Sequence, residues 1–350
     1  MTVKEIAKMC GVSPSTVSNA VNGKTNISEE TRKKILDCIQ QMGYQPNYFA
    51  SNIRKQNTRT IGIIAEDLGQ FSTSDILESA MASCEEQGYR AVIMNLRMYD
   101  KWADAWYHDD RKLQSVVEPV LNELLAIHVD GLIYIAGHGR LINCIPDSFD
   151  IPTVIAYGWA ENNRFPSIVP DDVQGGYDIM KYLLSQGHKR IGILSGIADN
   201  LHAKARLLGY QRALFEAGIP YNPEWIYYGD WKKPSGILGA GELLKKDITA
   251  IACMNDLMAG GVYEYAFDHK LVVGKDFSVV GYDNQLVTEY LFPRLTTCHL
   301  PLREIGRKAS ECLIQNIIGT EKAESYEPIK LPCRIICRDS VLQLNVNANK

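Results

Sequence analysis

Apolar positions recur at helical spacing over the first forty-odd residues and in short unbroken runs after residue 60, so the chain changes rhythm once. Val3, Ile6, Ala7 and Cys10 trace one face of a short helix; Thr2 and Glu5 form a capping box at its start and Gly11 ends it. Ser13 and Pro14 open a second helix that runs to Val21 and stops at Asn22-Gly23. Ser28 starts a third, with Ile35, Leu36, Ile39 and Met42 along one face and Gly43 as its stop. Beyond Thr60 the apolar runs 60–65, 91–96, 131–135, 153–156, 190–194, 250–253 and 277–280 predict strands. Amphipathic stretches at 75–87, 116–127, 175–186, 204–217, 235–245 and 256–268 predict helices between them. Such alternation means parallel sheets flanked by helices, in two units, with a crossover within 151–160 and a return from Leu295 onward. The expected fold class is α/β: an all-α helix-turn-helix head on a two-lobed body of parallel sheets.

A chain of 350 residues is too long for one compact core. With 46% hydrophobic and 22% charged residues it has an ordinary globular composition. No apolar run approaches the roughly 18–20 residues of a membrane span, and the N-terminus lacks the apolar core of a secretory signal. Nine cysteines without a C-x-x-C pair suggest buried thiols rather than disulfides or a metal site. A cytoplasmic protein without metal, cofactor or membrane partner is expected. The net charge of −4 hides an asymmetry: residues 1–60 carry nine Lys/Arg against four Asp/Glu, or +5, which leaves −9 on the remainder. A basic head on an acidic body directs attention to a polyanion at one end.

The second helix is unusually polar. Ser15, Thr16, Ser18 and Asn19 leave only Val17, Ala20 and Val21 to pack inward, and short hydroxyls and amides suit base edges and phosphates in a major groove. A small structural helical bundle is the other reading of this pattern. In the body, ligands of open α/β sheets bind beyond the carboxyl ends of strands. Asn255 and Asp283 follow predicted strands, and Arg206 is expected to open a helix after the 195–202 loop. An amide, a carboxylate and a guanidinium converging on one cleft can read a polyol. Alternatively, Arg206 pairs with the nearby loop and Asp283 caps a helix.

The run Thr2-Val3-Lys4-Glu5-Ile6-Ala7-Lys8, Gly11-Val12-Ser13, Thr16-Val17-Ser18, Val21-Asn22-Gly23 and Gly43-Tyr44-Gln45-Pro46-Asn47 closely resembles the head of LacI/GalR transcriptional regulators. Gly187-His188-Lys189-Arg190, Asn255-Asp256, Val280-Gly281-Tyr282-Asp283 and Arg338-Asp339-Ser340 extend the likeness over nearly the whole chain. The resemblance implies DNA contacts from Thr2, Ser13, Pro14, Ser15, Thr16, Ser18, Asn19, Asn26, Tyr44, Asn47, Ala50, Ile53 and Arg54. Ile53 would be the apolar wedge of a hinge helix that enters the minor groove, where the family usually has Leu. Asn19 departs from the Arg or His common in the family, which makes a different operator expected. The resemblance further implies an effector between two lobes, with Arg206, Asn255 and Asp283 at family positions that hydrogen-bond sugar hydroxyls or a purine and Trp231 at that of an aromatic lying against the sugar. Phe71, after the first body strand, and Tyr157, which offers stacking and one hydroxyl, are further candidates, with core packing the alternative for Trp231 and Phe71. The family often has Asp where this chain has Tyr157.

The expected organisation is a DNA-binding domain at 1–45, a hinge at 46–59, an effector and dimerisation domain at 60–340, and a tail at 341–350. Its lobes would be about 60–158 plus 293–322 and 159–292 plus 323–340. The expected function is an operator-binding regulator, a repressor, working as a homodimer on double-stranded DNA under control of a small effector, a saccharide. No heptad tail follows Ser340, so a tetramer built that way is not expected. A pure solute-binding protein would need an export signal and no basic head; a sugar enzyme would need a carboxylate pair or metal set. Gly137-His138-Gly139 lacks the third glycine of a dinucleotide fingerprint, and the seven histidines show no ligand spacing, so core or surface roles are expected for them. The segment Arg97–Arg111, with Trp102, Trp106 and Tyr107, is read as a covering loop, with a lid or partner surface as the alternatives.

Overall fold

The computed structural model describes residues 2–21, 27–43, 58–102, 109–319 and 325–344. Among the described residues three helices form the head, at Val3–Cys10, Pro14–Val21 and Glu29–Gln41. Thr2 and Glu5 make the reciprocal capping box, and Gly11 closes the first helix at φ 69°. Ser28 caps the third through the backbone N–H of Thr31. A small core of Ile6, Ala7, Cys10, Val17, Ala20 and Ile35 holds the three together. Leu36 and Met42 do not join it: they are 44% and 40% exposed, because only Ile35, with Cys38 and Ile39 at its edge, faces the other two helices.

Among the described residues the body is built on two six-stranded sheets and one small two-stranded sheet. The strands are β1 (Thr60–Ala65), β2 (Arg90–Asn95), β3 (Gly131–Ile135), β4 (Leu141–Ile142), β5 (Thr153–Ala156), β6 (Trp159–Ala160) and β7 (Ser167–Pro170). They continue with β8 (Ile191–Ser195), β9 (Ile226–Tyr228), β10 (Ala250–Cys253), β11 (Ser278–Asp283), β12 (Thr296–His299), β13 (Ile329–Leu331) and β14 (Arg334–Ile336). The first sheet runs β13-β7-β5-β3-β1-β2, parallel throughout. The second runs β14-β12-β11-β10-β8-β9 and is parallel except for the edge strand β14. Central strands β1, β3, β8 and β10 are buried along their whole length, as parallel strands covered on both faces must be.

Sheet pairing places the lobe crossings elsewhere than the sequence suggested. β7 still pairs with β5, so the first crossing follows Pro170 rather than residue 158. β12 stays in the second sheet, and the chain returns only with helix Leu302–Ile318, which packs on helix Phe71–Glu86 of the first lobe. β13 belongs to the first sheet and β14 to the second, so a third crossing falls between Leu331 and Arg334. These strands are short and carry polar or charged residues, which is why the apolar runs did not reveal them. Among the described residues no helix is long and apolar enough to cross a membrane.

Candidate effector cleft and DNA-binding head

Helices Asp172–Ser185 and Leu201–Glu216 approach backbone to backbone. A Cβ on Gly176 would lie 2.4 Å from the carbonyl oxygen of Arg206, and one on Gly209 would lie 2.1 Å from that of Val173. This proximity brings Asp172, at the start of the first helix, against His202 and Arg206, which share one face of the second at i and i+4. Arg206 therefore lies in the second turn of its helix, not at its start. Its Nε donates to Asp172 Oδ1 at 2.7 Å, and His202 Nδ1 lies 2.6 Å from Asp172 Oδ2. Burial opposes ionisation of Asp172, but Arg206 and His202 outweigh it and hold the carboxyl below its usual range. The guanidinium stacks 3.7 Å from the Tyr282 ring centroid and donates to the carbonyl of Met254.

The six residues assigned to an effector all line one cavity of about 590 Å³ between the lobes. Asp283 ends β11 at φ 109°, its Oδ1 3.8 Å from Arg206 Nη1, and its Oδ2 accepts from the Gln285 amide at 3.0 Å. Burial pushes the Asp283 carboxyl well above the ordinary range, with Arg206 opposing. It caps no helix. Asn255 does: its Oδ1 accepts from Met258 N–H at 2.9 Å, while its Nδ2 donates to the Trp231 carbonyl at 2.8 Å. Trp231, at φ 71°, lies flat on Gly196, where a Cβ would meet the ring at 2.1 Å. Its indole N–H is buried with no acceptor among the described residues. Tyr157 is buried at the first-lobe wall, and burial raises its phenol. Phe71 opens its helix at the rim, 37% exposed.

Sequence reasoning missed several neighbours. His138, Asn200, His202, Lys232 and Gln285 also line the cavity, and so does Tyr99 from the 97–111 segment. The histidines at 138 and 202 thus face the cleft rather than serving as core or surface. The signal was present in Gly137-His138-Gly139, a glycine-flanked loop at a strand's carboxyl end, but it reads as a failed dinucleotide motif until the lobes are assembled. Trp106 and Tyr107 lie outside the described residues. Behind the first-lobe wall, Glu66 is held by Arg140, by the Tyr134 hydroxyl at 2.9 Å and by Gly137 N–H at 2.6 Å. No group of three or more His, Cys, Asp or Glu among the described residues could hold a metal ion.

In the head, Val17 and Ala20 turn inward and leave Pro14 and Ser15 exposed, with Thr16, Ser18 and Asn19 half-buried. The Ser13 hydroxyl lies 2.6 Å from that of Ser15 and 2.8 Å from that of Thr16, and accepts from Thr16 N–H at 3.1 Å. Ser13 is thus the cap of the second helix as well as a polar group on its outer face. Thr2 is exposed at the first helix's cap. Asn26, Tyr44, Asn47, Ala50, Ile53 and Arg54 lie outside the described residues.

A profile described as "Bacterial regulatory proteins, lacI family" matches residues 2–47, and a "Periplasmic binding protein-like domain" matches residues 180–341. The "HTH-type transcriptional repressor PurR" of Vibrio parahaemolyticus is 30% identical over 349 residues, covering 98% of this chain and 99% of the relative. The "Ribose operon repressor" of Haemophilus influenzae is 30% identical over 345 residues, covering 98% and 99%. Among solved structures, the lac repressor dimer bound to operator and the anti-inducer ONPF superposes with a TM-score of 0.81 at 25% identity, over 98% of this chain and 99% of that one.

Proposed function

The chain belongs to the LacI family of bacterial regulatory proteins, and from that premise we propose that it represses transcription as a cytoplasmic homodimer on a pseudo-palindromic operator, under control of a saccharide bound between its lobes. Two heads would read the major groove through Ser13, Pro14, Ser15, Thr16, Ser18 and Asn19, with Thr2, Asn26 and Tyr44 on the backbone. A hinge carrying Asn47, Ala50, Ile53 and Arg54 would occupy the central minor groove. The effector can act only through unequal affinity for the two lobe arrangements, so its binding and DNA binding are thermodynamically linked.

The observation that carries the effector reading is the convergence of Arg206, Asn255, Asp283, Trp231, Tyr157 and Phe71 on one cavity of about 590 Å³, a size typical of small-molecule sites. Its floor suits an uncharged guest. Asp172 neutralises Arg206, and burial favours the protonated form of Asp283. The remaining hydrogen-bonding capacity of the Asn255 and Gln285 amides serves a polar guest, and the Trp231 and Tyr157 rings supply faces for sugar C–H groups. A binding role rather than catalysis is supported by the repressor relatives matched over nearly the whole chain.

Mobility shift on the chain's own upstream DNA tests the regulator reading, and absence of retardation at low salt overturns it. Ile53→Ala should weaken specific binding far more than non-specific binding; equal losses reject the wedge. Thermal shift with pentoses, hexoses and disaccharides tests the effector reading, because a ligand at 100 times its Kd stabilises by about 2.7 kcal/mol. A shift with adenine or guanine and with none of the sugars overturns the saccharide.

A further inference from the structure

Three consecutive residues of the second lobe, Asn200, Leu201 and His202, grip the first lobe along one edge of the cleft. Asn200 uses both ends of its amide. Its Oδ1 accepts from Ala203 N–H at 3.1 Å, which caps its own helix, and its Nδ2 reaches His138 Nε2 at 3.0 Å across the lobes. The helix cap fixes which amide atom points across, so the His138 ring nitrogen is the acceptor. Leu201 N–H, one of the first-turn donors that no helix can satisfy internally, donates to the Gly139 carbonyl at 2.8 Å. His202 Nε2 lies 3.3 Å from the Tyr157 carbonyl oxygen, with its ring 4.4 Å from the Tyr157 ring and 5.0 Å from that of Trp159. Gly139 makes this approach possible, since a Cβ there would sit 2.3 Å from the His202 ring and 3.0 Å from Asn200 Oδ1. The other nitrogen of His202 contacts Asp172, whose second oxygen holds Arg206.

We propose that the Gly137–Gly139 loop and residues Asn200–His202 form an interlobe latch, with Gly139 and His202 as positioning residues. The latch sets how far the cleft closes and communicates closure to Arg206 through Asp172. Each of the three cross-lobe bonds breaks when the lobes part, and only one of their donors, Leu201 N–H, is a backbone amide. Closure therefore has its own reporter. The consequence for DNA rests on the effector-regulator reading above, whereas the latch itself is measurable with no saccharide present.

The test is residue-resolved amide exchange on the full-length chain, alone and on its upstream DNA duplex, for wild type, Gly139→Ala and His138→Ala. Lys204 N–H, which bonds Asn200 within the same helix, is the internal control. We expect Leu201 exchange at least tenfold faster in Gly139→Ala with Lys204 unchanged, and a smaller acceleration in His138→Ala, which removes one bond without adding bulk. Operator affinity should shift several-fold in parallel, and the sign identifies whether the closed form grips or releases DNA. Equal Leu201 rates in wild type and both variants overturn the latch. Faster exchange with unaltered operator affinity overturns its coupling to the head. If Gly139→Ala does not fold, His138→Ala decides both questions.

Discussion

Arg206 and Asp172 meet at 2.7 Å in the interior of the second lobe, each almost wholly buried, on helices that touch because Gly176 has no side chain. One ion pair thus joins helix packing to the cleft, since Arg206 also faces Asp283 and the cavity.

Removing one partner of such a pair strands the other's charge, which costs about 3–5 kcal/mol. Asp172→Asn should therefore lower the urea midpoint of the body's unfolding with little change in slope. A midpoint within experimental error of wild type would show that the guanidinium finds another partner.

Glycine-to-alanine exchange should change sign with position. At Gly176 the new methyl meets the Arg206 carbonyl at 2.4 Å, so a loss of about 1–3 kcal/mol is expected from forced overpacking. At Gly260, inside helix Asp256–Asp268, nothing lies within 4 Å. There alanine should stabilise by up to about 1 kcal/mol through helix propensity. Thermal unfolding of the two variants side by side checks both directions.

Asp256 is buried at the start of its helix and accepts from the Thr297 hydroxyl and Gln285 N–H, both at 2.7 Å. Burial pushes its carboxyl up to about 7, these hydrogen bonds opposing. A carboxyl raised in the folded state binds more protons there than in the unfolded chain between the two values. Its contribution to stability is full below the unfolded value near 3.8 and falls as pH rises through about 7. Asp256→Asn, which cannot ionise, should gain on wild type between pH 5 and pH 8 in thermal midpoint. A constant difference across that window would contradict the assignment.

Ile35 is the one fully buried residue of the third helix and faces Ile6 and Val17. Ile35→Ala should cost the head about 2–5 kcal/mol, a large fraction of what so small a core supplies. Operator retardation should disappear while the body's thermal transition stays in place. Loss of both together would mean that the head and body do not unfold separately.

The local rhythm of the chain was enough for the capping box at Thr2 and Glu5, the buried strands and the helix at Asp256–Asp268, because each is written in neighbouring residues. The same holds for Asn255 and Asp283, which follow from the rule that sites lie beyond strand ends. His138, Asn200 and His202 were not legible. Their roles arise from contacts between residues 30 to 62 positions apart, and a lone histidine looks the same whether it faces solvent, core or another lobe.

The sequence by itself determined the class of the protein: periodicity and caps are short-range physics, and a basic helical head before alternating strands and helices admits few architectures. Tertiary structure alone decided where the lobes exchange strands, which carboxylate holds Arg206 and what bridges the cleft. Those outcomes depend on which backbones can touch, and that is settled at positions such as Gly139 and Gly176, where the missing side chain matters only once its distant neighbour is in place.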